Sequence, residues 1–183
     1  MIDLSAGTLL ISDPFLKDPN FLRTVVLLCE HQFEGSFGFV LNKLYDQKIG
    51  DLVDDLAGVK FPVYYGGPVQ VDTLHFLHRC PELIDGGILV TDDTYWGGNF
   101  ETVSALLKQN GLQQNDIRFY IGYSGWGQGQ LEDELKTKSW ITSAGTSKLI
   151  FHRYANMIWK EALKDLGGEY EQMINYPIDP QLN

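Results

Sequence analysis

The sequence predicts an α+β fold built as one domain. Its 183 residues are near the usual size of a single domain, and 44% of them are hydrophobic, with no repeat or low-complexity tract. Strand-like and helix-like segments are intermixed without a regular βαβ rhythm, because hairpin-like strands dominate the first half and helices the second. We therefore expect a single domain over residues 1–183, with a loose tail from about residue 177.

The first half of the chain predicts short strands joined by turns. Val25 to Leu28 is an uninterrupted apolar run, which is typical of a strand covered on both faces. Glu34-Gly35 predicts a hairpin turn, whereas two prolines predict a long, shaped loop between residues 12 and 20. The predicted strands of this half are residues 7–11, 24–29, 38–42, 63–65, 73–78 and 87–91.

Helices are predicted where apolar residues recur at helical spacing. A short helix carries its apolar residues between Ile49 and Leu56 and ends at Gly58, and a second begins at the N-cap Asn99 and ends at Gly111. Strands follow at 117–121 and 148–151, and a C-terminal helix over 154–166 is closed by Gly167-Gly168.

The segment Gly122 to Glu132 contains four glycines and two aromatic residues. Since it lies between a strand-like and a helix-like segment, it predicts a strand-to-helix bend with Leu131 packed inward and acidic residues, including Glu132 and Glu134, favouring the helix start. Glycine permits close backbone approach. We therefore expect Tyr123 and Trp126 to contact a ligand or a partner.

Two known motifs nearly match this segment, but each lacks a glycine that the motif requires. A nucleophile elbow needs glycine two residues after the serine, but Ser124 is followed there by Trp126. A dinucleotide fingerprint needs glycine at position 130 or 132, where Gln130 and Glu132 stand. The pattern favours a turn serine over a nucleophile.

Cysteine and histidine form two mirror pairs, Cys29-x-His31 and His78-x-Cys80. On strands this spacing puts both members of a pair on one face, so the four side chains could form a zinc site. A second hypothesis makes Cys29 a thiol nucleophile with His31 or His78 as its base. The separation of the cysteines, 80 − 29 = 51 residues, fits no named zinc module. Buried thiols and hydrogen-bonded histidines are therefore favoured, and no metal or cofactor is expected.

Polar residues also border the apolar strands. Asp18, Arg23, Glu30 and Asn42 would form a loop clamp if Arg23 paired with Asp18 or Glu30. The alternative makes Arg23 an anion-binding fork, and the clamp is favoured.

A second aromatic and glycine cluster, Tyr95-Trp96-Gly97-Gly98, precedes the helix that Asn99 caps. Packing beneath a loop is favoured there over an exposed interface. His75 and His78 lie three residues apart on a predicted strand, so they should occupy opposite faces, and at most one of them can face a common pocket.

Charge and composition exclude several function classes. The net charge is −10 and the pI about 4.7, so a nucleic-acid partner is disfavoured. The start lacks the features of a secretory signal, and no apolar run approaches membrane-spanning length. We expect a soluble cytoplasmic protein that does not insert into a membrane.

Several blocks, taken in order, carry a family signature. They are Asp18-Pro19-x-Phe21-x-Arg23-Thr24-Val25-Val26, Cys29-Glu30-His31, Gly35-x-x-Gly38, Val40-Leu41-Asn42-Lys43, Gly66-Gly67-Pro68-Val69, Leu77-His78 and Gly122-Tyr123-x-Gly125-Trp126-x-x-Gly129-Gln130-Leu131-Glu132-x-Glu134. Over roughly residues 7–166 the chain resembles the bacterial YqgE/AlgH family.

This resemblance implies a bifurcated, mostly antiparallel sheet, partly curled into a small barrel and surrounded by helices. It also implies a cytoplasmic protein of a family sometimes labelled as transcriptional regulators, with no settled biochemical activity. The chain departs from the family pattern at Leu44, where proline is usual, and at Thr146, where aspartate is usual. The second departure puts in doubt any family site that relies on a carboxylate there.

The leading hypothesis is a non-catalytic regulatory protein that binds a small molecule or a protein partner. The expected binding residues are Asp18, Arg23, His31, Asn42, His78, Tyr123, Trp126 and Gln130. One alternative is a thiol- or histidine-dependent hydrolase that uses Cys29, with Asn42 or Gln130 as a hydrogen-bond donor. A second alternative is a DNA-associated regulator, although the chain is acidic and has no helix-turn-helix signature.

Overall fold

One long strand, β9 (Ile117–Gly127), joins the parts of the sheet in the computed structural model, which describes residues 3–178. The first half of β9 pairs in parallel with β5 (Pro62–Tyr65), and its second half pairs antiparallel with β3 (Gly35–Val40). The antiparallel strand β6 (Val69–His78) follows the other edge of β9. The sheet therefore divides near Gly122, which confirms the predicted bifurcated α+β fold.

The rest of the sheet curls away from β9 on both sides. The strand order is β10-β1-β2-β3-β9-β6-β8-β7, with β4 and β5 on a branch. The curl brings β7 back against the start of β1, since a Cβ on Gly7 would lie 2.9 Å from the carbonyl oxygen of Val90. The remaining strands are β1 (Thr8–Ser12), β2 (Val25–Gln32), β4 (Leu44–Lys48), β7 (Ile88–Thr91), β8 (Thr94–Trp96) and β10 (Trp140–Ala144).

The curled sheet forms a half-barrel, and short helices cover it. They are α1 (Ile49–Leu52), α2 (Phe100–Lys108), α3 (Gln130–Lys136), α4 (Ser147–Ile150), α5 (Ile158–Leu166) and α6 (Glu169–Met173). The predicted N-cap of α2 is confirmed, because the Asn99 side chain accepts a hydrogen bond from the Thr102 N–H. Gly167, with φ of 66°, ends α5 as predicted. Within residues 3–178 no helix has the length and apolar character needed to cross a membrane.

The buried side chains form three apolar cores. Core 1 lies inside the curl, between β1, β2, β3 and helices α4 and α5. Core 2 packs β5, β6 and β9 against α1 and α2. Core 3 lies on the opposite face of β1, β2 and β3, beneath α3, and contains Trp126 and Trp140. β9 contributes to all three through Tyr120, Phe119 and Trp126.

Three predicted elements are wrong in type or extent. The C-terminal helix α5 begins at residue 158 rather than 154, because the backbone at 154 is extended and a 3₁₀ turn follows it. Residues 148–151 form part of α4 and its C-cap rather than a strand, because Thr146 caps the helix by accepting from the Leu149 N–H at 3.4 Å. The helix predicted from Ile49 is broken at Val53, whose backbone is extended, so only α1 and a 3₁₀ turn form.

The glycine-rich segment is mostly strand, which corrects the predicted bend. β9 continues through Gly127, and α3 begins only at Gln130, after Gly129 in a left-handed conformation. Leu131 is buried, as predicted. The strands β4, β8 and β10 and the helix α6 were absent from the prediction. Of the predicted loose tail, residues 179–183 lie outside the described part.

Candidate functional site

An open cavity of about 570 Å³ lies where the β2–β3 hairpin meets β6, β8 and β9. This volume is within the usual range of small-molecule pockets, about 300–1,000 Å³. The lining is largely aromatic and acidic: Glu30, Gln32, Glu34, Gly35, Ser36, Phe37, Val69, His75, Trp96, Tyr123, Gly125 and Trp126. We refer to it below as the aromatic cavity.

Phe37 is the centre of the aromatic wall. Its ring centroid lies 4.8 Å from that of Trp96 and 5.9 Å from that of Tyr123, both in edge-to-face geometry. All three side chains are partly buried and pack against core 1. The wall is therefore held by the body of the protein, and each of its rings carries partial negative charge on its face and partial positive charge on its edge.

The space beside Phe37 exists because position 125 has no side chain. Gly125 is the cross-strand partner of Phe37. A Cβ at this position would meet the Tyr123 ring at 3.4 Å and the Val69 side chain at 3.7 Å, which are ordinary contacts. A long side chain at position 125 would extend into the aromatic cavity, whereas glycine leaves it open.

His75 contributes a hydrogen-bond acceptor. The Thr73 hydroxyl donates to the Gln70 carbonyl at 2.7 Å, so it must accept from His75 Nε2–H, 3.0 Å away. In the neutral ring this assignment leaves Nδ1 as an acceptor. Burial lowers the pKa of His75 below its ordinary value of 6.5, which favours the neutral ring near pH 7.

The charges around the aromatic cavity are acidic. Glu30 is the cross-strand partner of Phe37, so the two side chains share one face of the sheet. Glu34 lies in the hairpin turn, and both carboxylate residues are exposed. None of the described residues that line the aromatic cavity is a lysine or an arginine.

Two of the predicted binding residues, Arg23 and Asn42, form a loop clamp away from the aromatic cavity, and a third, Asp18, makes only a local contact in the preceding loop. The Asn42 side chain accepts from the Val25 N–H at 3.0 Å and donates to the Arg23 carbonyl at 2.8 Å. The Arg23 guanidinium donates to the Tyr176 carbonyl and lies over the Trp159 ring at 4.9 Å. Asp18 accepts from the Asn20 N–H at 2.8 Å. Within residues 3–178, Arg23 forms no ion pair with Asp18 or Glu30, which corrects the pairing expected for this clamp.

Comparison with known proteins identifies the family. The AlgH-like family model matches residues 9–171. The chain belongs to the AlgH-like family. It is 41% identical over 180 residues to a UPF0301 protein of Chlorobium limicola, covering 98% of this chain and 96% of the relative. It is 41% identical over 181 residues to a UPF0301 protein of Cytophaga hutchinsonii, covering 98% of this chain and all of the relative. The predicted resemblance is confirmed.

Solved structures share the AlgH-like fold. The solution structure of the AlgH protein from Pseudomonas aeruginosa is 25% identical, with a TM-score of 0.74, and the match covers 97% of this chain and 98% of that one. The crystal structure of protein DIP2367 from Corynebacterium diphtheriae has a TM-score of 0.82 at 16% identity, covering 96% of this chain and 94% of that one. The second match shows the fold alone.

Three further predicted residues of this AlgH-like chain hold α3 against the sheet. His31 Nδ1 lies 2.7 Å from the Ser36 hydroxyl, and its Nε2 lies 3.7 Å from Glu132 Oε1. Gln130 accepts from the Gly127 N–H at 3.1 Å. Trp126 borders the aromatic cavity, but it is 5% exposed and belongs to core 3.

Glu134 is the polar centre of this α3 contact. Its Oε2 accepts from the indole N–H groups of Trp126, at 2.9 Å, and Trp140, at 2.7 Å. Its Oε1 accepts from Gln130 Nε2 at 3.0 Å. Glu134 thus satisfies two buried indoles. It is the fifth residue of α3 and lies beyond the first turn, which corrects its predicted role at the helix start, whereas Glu132 does lie in that turn.

The cysteine and histidine pairs do not converge on one site. Cys29 belongs to core 1 and Cys80 to core 2. Burial raises the pKa of the Cys29 thiol far above its ordinary value, which disfavours the thiolate that a nucleophile needs. His78 donates from Nε2 to the Gly97 carbonyl at 3.0 Å and accepts at Nδ1 from the Cys80 N–H at 3.2 Å. Within the described residues no cluster of metal-ligating side chains is present.

The two serines near the aromatic cavity are both engaged. Ser124 is fully buried and donates to the Gly66 carbonyl at 3.0 Å. Ser36 is 9% exposed and precedes Phe37, so its side chain points to the α3 face rather than the aromatic face. Ser36 contacts His31. The carboxylate of Glu132 lies 3.7 Å from Nε2 of that histidine, which is beyond hydrogen-bond distance.

The two departures from the family pattern lie outside the aromatic cavity. Thr146 caps α4 through its hydroxyl, which is a role that aspartate also fills well. Leu44 begins β4 and is 61% exposed.

Only part of the aromatic cavity is predictable from the sequence. Tyr123, Trp126 and the cluster around Trp96 stand out as aromatic residues beside glycines, whereas the sequence predicts a place for Glu30 in the loop clamp. His75 and His78 face different surroundings, and it is His75 that lines the aromatic cavity. Phe37 carried no distinguishing signal except its place in a hairpin strand.

Proposed function

We propose that this AlgH-like protein is a non-catalytic cytoplasmic binding protein that takes a small molecule into the aromatic cavity, with a regulatory consequence. The observation that carries the proposal is the open space beside Phe37, bounded by Trp96, Tyr123 and His75 and left free by Gly125. A concave, mostly apolar site with a few polar groups is the usual form of a small-molecule pocket.

Binding is a better account of this site than catalysis. A hydrolase needs an accessible nucleophile hydrogen-bonded to an oriented base. Cys29 is buried with a raised pKa, and Ser124 donates its hydroxyl proton to a backbone carbonyl. Ser36 does contact His31, but the carboxylate of Glu132 is too distant to orient that ring by a hydrogen bond.

A regulatory role through direct DNA contact is opposed by charge. The chain carries a net charge of −10, and Glu30 and Glu34 lie beside the aromatic cavity. Phosphate backbones bind to clustered lysine and arginine. We therefore propose that any regulatory effect arises from ligand binding and not from direct contact with DNA.

Filling the space at position 125 tests the proposal. Gly125→Leu should abolish binding, because the leucine side chain would extend between Phe37 and Tyr123. Gly127→Leu is the matched control, since a Cβ at Gly127 has no heavy atom within 4 Å. Ligand-observed NMR on a mixture of bacterial metabolites measures binding to the wild type and to both variants.

The proposal requires at least one compound that binds to the wild type and to Gly127→Leu but not to Gly125→Leu. Circular dichroism confirms that both variants are folded. A mixture whose compounds bind equally well to Gly125→Leu, or not at all to the wild type, contradicts the proposal.

A further inference from the structure

We infer that the aromatic cavity selects an organic cation, a small molecule that carries an ammonium or guanidinium group on an apolar body. This inference rests on the proposed function and adds the chemical class of the ligand. Three features of the lining favour a positively charged ligand, and they involve different residues.

The first feature is the set of ring faces. Phe37, Trp96 and Tyr123 form one wall, and a cation within about 6 Å of an aromatic centroid is attracted by the ring quadrupole. Edge-to-face packing of Phe37 on both neighbours fixes the directions in which these faces point. An anion over the face of any of these rings would be repelled by the same quadrupole.

The second feature is the placement of the carboxylates. Glu30 is the cross-strand neighbour of Phe37, so its carboxylate rises from the same sheet face as the Phe37 ring. Glu34 adds a second exposed carboxylate at the turn. Since no lysine or arginine stands among the described lining residues, nothing there neutralises this charge.

The third feature is His75. Its Nε2–H is used by Thr73, whose own proton is used by Gln70. The neutral ring can therefore offer Nδ1 only as an acceptor, which suits the N–H donors of an ammonium or guanidinium group. A carboxylate ligand would find no donor in this ring. At a larger scale, the net charge of −10 favours approach of cations.

Three probes of similar shape separate charge from apolar contact: phenethylamine, phenethyl alcohol and hydrocinnamate. They share a phenyl ring on a short chain and carry an ammonium, a hydroxyl and a carboxylate. We expect phenethylamine to bind tightest and hydrocinnamate weakest. Amide NMR titrations of the wild type measure the dissociation constants, with the amides of Tyr123 and Gly125 reporting on the site.

Charge-removing variants then locate the cation. Glu30→Gln should weaken phenethylamine binding by roughly two- to fivefold, the range of an exposed ion pair, and should leave phenethyl alcohol binding unchanged. Glu34→Gln should act in the same direction. Glu82→Gln removes an exposed carboxylate outside the lining and should change neither dissociation constant.

The outcomes separate this inference from the proposed function. The inference is overturned if the alcohol or the carboxylate binds as tightly as the amine at Tyr123 and Gly125, and the proposed binding function then stands. It is also overturned if Glu30→Gln and Glu82→Gln have equal effects, or if Gly125→Leu still binds phenethylamine. The proposed function itself fails only in the metabolite experiment, which does not depend on the charge of the compound.

Discussion

At the scale of single residues, Glu134 shows how one carboxylate fixes a helix. Its Oε2 accepts from two indole N–H groups, those of Trp126 and Trp140, which are 5% and 4% exposed. Glu134→Leu would leave both donors unsatisfied. We expect the free energy of unfolding to fall by about 2–6 kcal/mol, since each of the two buried unsatisfied donors costs about 1–3 kcal/mol.

Urea unfolding followed by tryptophan fluorescence measures this loss. Glu132→Leu is the control on the same helix, because Glu132 is 44% exposed and lies 3.7 Å from His31. Its expected loss is within about 1 kcal/mol. Equal losses in the two variants would show that the indole hydrogen bonds contribute little.

We expect His78 to make the stability of the protein depend on pH. Nδ1 accepts from the Cys80 N–H, so protonation of the ring would break this bond, and burial lowers the pKa of His78 below its ordinary value of 6.5. The unfolded chain therefore takes up the proton first as the pH falls. Stability that is present above about pH 6.5 should be lost progressively below it.

Urea midpoints measured from neutral to mildly acidic pH test this direction. Burial also lowers the pKa of His75, so both rings contribute with the same sign. His78→Asn keeps an acceptor near the Cys80 N–H but does not titrate, and its midpoint should fall less steeply over this range. A wild-type midpoint that stays constant or rises on acidification would contradict the assignment.

At the scale of secondary-structure elements, the branch of the sheet depends on a close crossing of two backbones. Gly122 has a φ of 66°, and a Cβ there would lie 2.5 Å from the carbonyl oxygen of Gly67. Gly129 has a similar φ of 73°, with no heavy atom within 4 Å of its would-be Cβ. A non-glycine residue at either position would have to adopt a left-handed conformation. Only at Gly122 would its Cβ also clash with the backbone of a neighbouring segment.

Alanine substitution at both positions separates these costs. Gly129→Ala should destabilise the protein by about 1–2 kcal/mol, the cost of the left-handed conformation. Gly122→Ala should cost a further 1–3 kcal/mol or so, because the strands must move apart. Chemical denaturation of the two variants gives the difference, and equal losses would mean that the crossing is not tight.

The sequence predicts strands and caps better than it predicts how they meet. Asn99 and Gly167 signal helix ends through local hydrogen bonds and backbone conformation, so they were found. The pairing of β9 with both β5 and β3 depends on residues far apart in the chain. The glycines near Tyr123 permit a close backbone approach, and one of them, Gly122, makes it to Gly67 of the same chain.

The aromatic cavity was only partly predictable for the same reason. Trp96 and Tyr123 stand out beside glycines, but nothing local indicates that Phe37 lies between them. The residue spacing places His75 and His78 on opposite faces without indicating which face has a cavity. Long-range sheet pairing decides both points.

At the scale of the whole molecule, β9 couples the unfolding of the three cores. It places Tyr120 in core 1, Phe119 in core 2 and Trp126 in core 3. Unfolding one core would require β9 to lose its pairing with strands that cover the others. We therefore expect all three cores to unfold in a single cooperative transition.

Two probes at separate places test this cooperativity. By fluorescence, Trp126 and Trp140 report on core 3, and Trp159 and Trp96 report on core 1. Cys80, 7% exposed, reports on core 2 through its thiol. Since the chain has two cysteines, Cys29→Ala leaves Cys80 as the single reactive group. In this variant, a short pulse of a thiol reagent at each urea concentration measures the exposed fraction.

The thiol and fluorescence midpoints should coincide, as a two-state transition requires. The Cys29→Ala background lowers both midpoints together, because it removes apolar volume from core 1 and acts on the shared transition. Exposure of Cys80 at a lower urea concentration than the fluorescence change would mean that core 2 opens by itself. β9 would then be a strand that two independently stable parts share, and its Gly122 branch would be the place where they separate.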